Sequence, residues 1–215
     1  MSPVRGGDKR DDHLDVAIVV IAGGRSQRYP EGDKALVEVG GVPMCRRAVA
    51  DLPGSELVVS CRADQRPALA EVLGGLAPRF AVDPVPDRGP LAGLSTALRV
   101  TAAERALVVA CDMPFFDRAT ATELLAALEA GDTDAALVEA DDAALPEPLG
   151  AAYHIDAARR ACEQTLACGS RRLVDALGRL ETTTVDARPR AVCNCNTAQE
   201  IERADDMLER RTLVQ

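Results

Sequence analysis

Asp15-Val16-Ala17-Ile18-Val19-Val20-Ile21-Ala22-Gly23-Gly24-Arg25-Ser26-Gln27-Arg28 is the stretch on which the fold turns. From Asp15 to Ile21 it is almost continuously apolar and rich in β-branched residues, the pattern of a strand covered on both faces. The glycine pair that follows lets the backbone approach a ligand without a Cβ in the way. A covered strand that ends in such a turn is the opening of a βαβ unit.

Outward from this stretch the same alternation continues. Glu56–Ser60 and Arg105–Ala110 read as further buried strands, Arg79–Val82 as a shorter one, and Ala135–Val138 and Gly150–Tyr153 as weaker ones. Helical spacing predicts helices over Pro43–Leu52, Gln65–Leu73, Leu91–Arg99, Arg118–Ala130, Ile155–Ala167, Arg171–Leu180 and Thr197–Arg211, the last capped by Asn196 or Thr197. Strands alternating with helices give a largely parallel sheet, and hence one three-layer α/β/α domain, Rossmann-like, over residues 14–211. The polar residues 1–13 read as a flexible N-terminal tail, without the apolar core of a signal peptide.

Composition narrows the function classes. The 215 residues carry a net charge of −9, which argues against a nucleic-acid surface. Only 2% are aromatic, so Ala, Val and Leu must build the core. No run of 18 apolar residues offers a membrane span. Seven scattered cysteines do not form a disulfide framework, and cytoplasm is the expected compartment. Of the 25 basic residues only Lys9 and Lys34 are lysine. An acidic, lysine-poor, alanine-rich chain fits a salt-loving source or a GC-rich genome.

Parallel sheets of this kind bind ligands at the carboxyl ends of their strands, so the loops there carry the chemistry. The first runs from Gly23 to Lys34 and supplies Arg25, Arg28 and Lys34 as cations for a triphosphate. It is neither a Gly-x-Gly-x-x-Gly loop nor a P-loop, because no Gly-Lys-Ser/Thr follows. Lys34 is a lysine kept inside an arginine-dominated chain, which suggests a compact charge where a planar guanidinium does not fit. The second loop, Val82-Asp83-Pro84-Val85-Pro86-Asp87-Arg88-Gly89-Pro90, is stiffened by proline and opens a helix. The third, Ala110-Cys111-Asp112-Met113-Pro114-Phe115, sets an acid just past a buried strand. Its carboxylate suits Mg²⁺ shared with phosphates, while Asp117 is the better cap for the next helix.

Several of these segments resemble one family. Ala22-Gly23-Gly24-x-Ser26-x-Arg28 followed by Asp33-Lys34-Ala35-Leu36 is similar to the nucleotide loop of the molybdenum cofactor guanylyltransferases, shared more loosely with sugar-phosphate nucleotidyltransferases. Gly89-Pro90-Leu91-Ala92-Gly93-Leu94 resembles that family's second signature, and Cys111-Asp112-x-Pro114-Phe115 its metal motif. Gly169-Ser170-Arg171 and Asn194-Cys195-Asn196-Thr197 extend the likeness over residues from about 15 to 206.

The resemblance implies a nucleotide-diphospho-sugar-transferase-like fold and Mg²⁺-dependent transfer of GMP from GTP to the phosphate of molybdopterin, with molybdoenzymes as recipients. It implies that Ile21, Ala22 and Gly23 line the guanosine, Asp83 holds the guanine edge, and Asp112 binds the metal. Lys34 and Arg28 would meet the phosphates and the departing pyrophosphate. The chain departs from the pattern at Tyr29-Pro30 and at Ser60-Cys61-Arg62, where the family often carries asparagine. Asn194 and Asn196 read equally as cleft residues or as a turn and cap. Alternatives are a cytidylyltransferase or cobinamide-phosphate guanylyltransferase of the same fold, or a non-catalytic cofactor-binding chaperone.

Overall fold

The structure is a computed structural model that describes residues 15–24, 32–84, 88–139, 146–186 and 190–212. The tail expected over residues 1–13 lies outside the described residues. Strand β1 (Val16–Ile21) is buried at every position, as its unbroken apolar run requires. It pairs in parallel with β4 (Glu56–Cys61) on one side and β6 (Arg105–Ala110) on the other. β5 (Arg79–Val82) extends the sheet beyond β4.

Among the described residues the remaining strands of this sheet are β7 (Ala135–Glu139), β8 (Glu147–His154) and β9 (Thr182–Asp186), giving the order β5-β4-β1-β6-β8-β7-β9. β8 runs antiparallel to both its neighbours, and the other six strands share one direction. A separate hairpin joins β2 (Glu38–Val39) to β3 (Val42–Pro43).

Side-chain alternation divides the core into two layers. Val16, Ile18 and Val20 face Leu69 and Leu73 at α2 (Arg66–Val72), Leu124 and Leu128 of α4 (Arg118–Ala130), and Cys45 of α1 (Met44–Arg47). Ala17, Val19 and Ile21 face Leu91, Leu94 and Leu98 of α3 (Pro90–Val100), with α5 (Ile155–Ala167) and α6 (Leu173–Leu177) in the same layer. A smaller cluster seats Ile201 and Ala204 of α7 (Ala198–Thr212) on Val39 and Met44. The three-layer α/β/α architecture and the mainly parallel sheet thus follow the expectation from sequence.

Three predicted elements change extent. The helix expected over Pro43–Leu52 ends at Arg47. Tight bonds from Ala50 N to Arg47 O and from Leu52 N to Val49 O then replace it as the chain nears Pro53. The strand expected at Gly150–Tyr153 starts earlier, at Glu147, and the helix expected over Arg171–Leu180 narrows to α6. Among the described residues no helix is long and apolar enough to cross a membrane.

From β1 the chain moves outward to β4 and β5, then crosses back to β6 on the opposite side of β1. The carboxyl ends of β1 and β6 are therefore the switch point of this sheet, where ligand clefts form.

Candidate active site

The cleft at the switch point is a cavity of about 480 Å³, within the range that encloses a nucleotide-sized ligand. Ile21, Gly23 and Gly24 line it from β1, Ser60 from β4, Asp83 and Arg88 from the loop after β5, and Ala110 and Asp112 from β6. Ala22 is buried directly beside it, its N–H bonded to the Ser60 carbonyl at 2.8 Å. The Cys111 N–H reaches the Ile21 carbonyl at 3.2 Å, so the two central strands stay paired up to the cleft edge.

Gly89 and Gly93 shape the wall formed by α3. Gly89 precedes the helix with φ +82°, a left-handed value that glycine takes without strain. Pro90 then begins the helix with the φ it prefers, so its amino-terminal end opens on the cavity. A Cβ on Gly93 would meet Ser60 Oγ at 2.8 Å. That hydroxyl is 1% exposed and has no hydrogen-bond partner among the described residues. A buried hydroxyl without a partner is costly, and this one lines the cavity where a ligand can satisfy it.

Lys34 enters from a short turn, Lys34–Leu36, capped by Asp33, whose carboxylate accepts the Ala35 N–H at 3.1 Å. The Lys34 ammonium donates to an Asp112 carboxylate oxygen and, at 2.7 Å, to Asn196 Oδ1. Both side chains are largely covered, Lys34 at 13% and Asp112 at 16% exposure, so their charges act at reduced dielectric. The Cys195 N–H donates to the Asp112 carbonyl at 2.9 Å, which ties the C-terminal segment to the same loop.

Asp117 caps α4 by accepting the Thr120 N–H, leaving Asp112 without that role. Thr197 and Glu200 form a reciprocal cap on α7. Glu200 Oε2 accepts from the Asn196 and Thr197 N–H groups, and Thr197 Oγ1 accepts from the Glu200 N–H. Those hydrogen bonds hold the Glu200 carboxyl below its ordinary range. Asn196 Oδ1 thus accepts from Lys34, while Thr197 caps α7.

Of the residues singled out from sequence, Ile21, Gly23, Asp83 and Asp112 line the cavity and Lys34 reaches it through Asp112. Arg25 and Arg28 lie outside the described residues. Sequence reading gave no role to Gln65 or Arg88 and noted Arg62 only within a departure from the family pattern. Gln65 alone carried a detectable hint, a polar residue at the entrance of an otherwise apolar helix face.

The buried cysteines near the cleft carry no reactive thiolate. Burial pushes the thiols of Cys61 and Cys195 up to about 11 and that of Cys45 up to about 12, so they stay protonated at neutral pH. Among the described residues no group of three His, Cys, Asp or Glu side chains is placed to hold a metal. The Asp112 carboxylate and Asn196 Oδ1, both now met by Lys34, are oxygen ligands of the kind Mg²⁺ takes while it retains waters and shares phosphate oxygens.

Residues 18–194 match the family described as MobA-like NTP transferase domain. The chain belongs to that family. Among similar proteins is one from Haloferax mediterranei named "Probable molybdenum cofactor guanylyltransferase", 39% identical over 172 residues, covering 79% of this chain and 80% of the relative. A second of that name, from Natronomonas pharaonis, is 38% identical over 206 residues, covering 88% and 96%. In fold, this MobA-like chain is similar to the crystal structure of molybdopterin-guanine dinucleotide biosynthesis protein A from Archaeoglobus fulgidus. That likeness has a TM-score of 0.74 at 23% identity and covers 90% of this chain and 99% of the other.

Proposed function

We propose that the chain transfers GMP from GTP to the terminal phosphate of molybdopterin, releasing pyrophosphate. The observation that carries this reading is the meeting of Lys34 and Asp112 at the edge of one cavity that Asp83 also lines, in a chain 39% identical to a relative named for that reaction. The acceptor phosphate is already an anion and attacks the α-phosphorus in line, so no general base is needed. One α–β phosphoanhydride bond breaks as the new one forms, and positioning and charge neutralisation dominate such transfers.

Asp112, with Asn196 beside it, would hold Mg²⁺, which supplies neutralising charge to the phosphate oxygens. Lys34 meets the phosphates as a compact cation, and Arg28 is proposed to do the same. Ile21, Ala22 and Gly23 pack against the guanosine. Asp83 accepts hydrogen bonds from guanine N1–H and the 2-amino group. The molybdoenzyme recipients and a cytoplasmic setting belong to the same reading.

Calorimetry with GTP, CTP and ATP in the presence of Mg²⁺ tests it. GTP is expected to bind most tightly. Tighter binding of CTP would move the chain to a cytidylyltransferase, and binding of no nucleotide would remove the reading.

A further inference from the structure

Gln65 is a polar side chain with 3% exposure, and none of the roles above uses it. Its Nε2 donates to the Ala22 carbonyl at 3.0 Å and to Asp33 Oδ2 at 2.5 Å. Its Oε1 accepts the Arg62 N–H at 2.9 Å. Arg62 adds a parallel tie, with Nη1 donating to the Gly24 carbonyl at 2.9 Å and the guanidinium paired with Asp64. Ala22 and Gly24 belong to the start of the glycine-rich loop and Asp33 to its end. One side chain from the β4–α2 connection therefore bonds to both ends of that loop.

The bonding pattern admits few other side chains. Two acceptors, a carbonyl and a carboxylate, face one donor, a backbone N–H. Glutamine offers two N–H donors and a carbonyl acceptor at the end of one chain of this length. Glutamate would set a carboxylate against two acceptors, and lysine would leave the Arg62 N–H unmet. A buried amide stabilises its site only when such bonds are made. Asp33 in turn caps the turn that carries Lys34.

We infer that Gln65 is a positioning residue for the nucleotide: its amide fixes the Ala22 carbonyl and the Lys34 turn at a set separation. The inference rests on the reading of this cavity as the GTP subsite. Gln65 touches neither substrate nor metal and acts through Ala22, Asp33 and Lys34.

Three variants test it. Gln65→Met keeps the length and loses all three bonds. Gln65→Glu keeps only the acceptor. Gln65→Glu combined with Asp33→Asn reverses one bond, since the new amide at position 33 donates to the new carboxylate and its oxygen still caps Ala35. Gln65→Glu and Gln65→Met should each raise the KM for GTP by about tenfold or more, read well below their lowered melting temperatures, and leave the KM for the pterin acceptor near wild type. The double variant should recover most of that loss.

An unchanged GTP KM in Gln65→Glu would overturn the inference. So would a loss confined to kcat with both KM values intact, or a double variant no better than the single one. Wild-type protein that binds no GTP would instead remove the subsite reading itself, and this inference with it.

Discussion

The Lys34 ammonium and the Asp112 carboxylate meet directly although they stand 78 positions apart in sequence, and the same ammonium reaches Asn196 Oδ1 at 2.7 Å. A cation between two oxygen acceptors marks a place where positive charge is stabilised before any ligand arrives. In Asp112→Ala that place is lost, while the core layers of β1 and β6 are untouched. Pyrophosphate release from GTP should fall by about 10²–10³ or more at millimolar Mg²⁺, with an unchanged circular dichroism spectrum. A folded variant that keeps its rate would overturn the metal assignment.

Lys34→Arg should lose most activity although arginine is the cation this chain otherwise uses. The longer planar head cannot occupy a point between the Asp112 carboxylate and Asn196. Steady-state rates at saturating GTP are the check, and retention of most of the wild-type rate would count against the assignment.

Base choice is expected to rest on Asp83. GTP should bind at least about a hundredfold more tightly than ATP, because adenine offers the Asp83 carboxylate neither an N1–H nor a 2-amino donor. Asp83→Asn should narrow that gap in calorimetry. Selectivity unchanged in the variant would mean that another group reads the base.

Gly93 and Ser60 should behave as a coupled pair. Gly93→Ala, in the first turn of α3, sets a Cβ 2.8 Å from Ser60 Oγ and should destabilise the fold by about 1–3 kcal/mol in urea. Adding Ser60→Ala removes the obstructing oxygen and should restore most of the loss. Effects that simply add would show that the crowding lies elsewhere.

The cap on α7 gives a pH-dependent prediction. Glu200 is held below its ordinary range chiefly by the Asn196 N–H, so its ionised form stabilises the folded state. A depressed carboxylate contributes above its unfolded pKa, and the contribution fades as pH falls through the folded value. Glu200→Ala should therefore cost about 1 kcal/mol at neutral pH and nearly nothing under strongly acid conditions. Melting curves at both ends of that range decide it, and a cost independent of pH would exclude the ionised cap.

Much of the sheet was legible because its central strands are buried on both faces and so advertise themselves as unbroken β-branched runs. Helices α4 and α5 have the bounds their periodicity predicts. Edge strand β9 was not read. Its Thr182-Thr183-Thr184-Val185 alternates exposed and half-buried positions, and the polar threonines hid a β-branched run. The start of β8 was missed because Glu147-Pro148 looks like a loop, though a register shift in its pairing with β7 accommodates it.

In the site, acids and glycines just past strands were readable because topology alone sends those positions to the cleft. Gln65 was not. Its meaning lies in three partners from three separate segments, and no spacing in a single sequence reports that.

Asn196 stands 162 positions from the lysine it meets, and α7, which begins just beyond it, docks on the hairpin that follows that lysine. Closing so long a segment is costly in chain entropy, so contacts of this separation form late in folding. A chain in which the sheet has formed but α7 has not docked holds Lys34 and Asp112 without Asn196. Ligands that need all three groups then bind only the finished protein and stabilise it by mass action, by about 2.7 kcal/mol at a hundredfold excess over Kd. Where degradation follows the opened population, nucleotide supply is then expected to slow it, so protein level should rise with substrate.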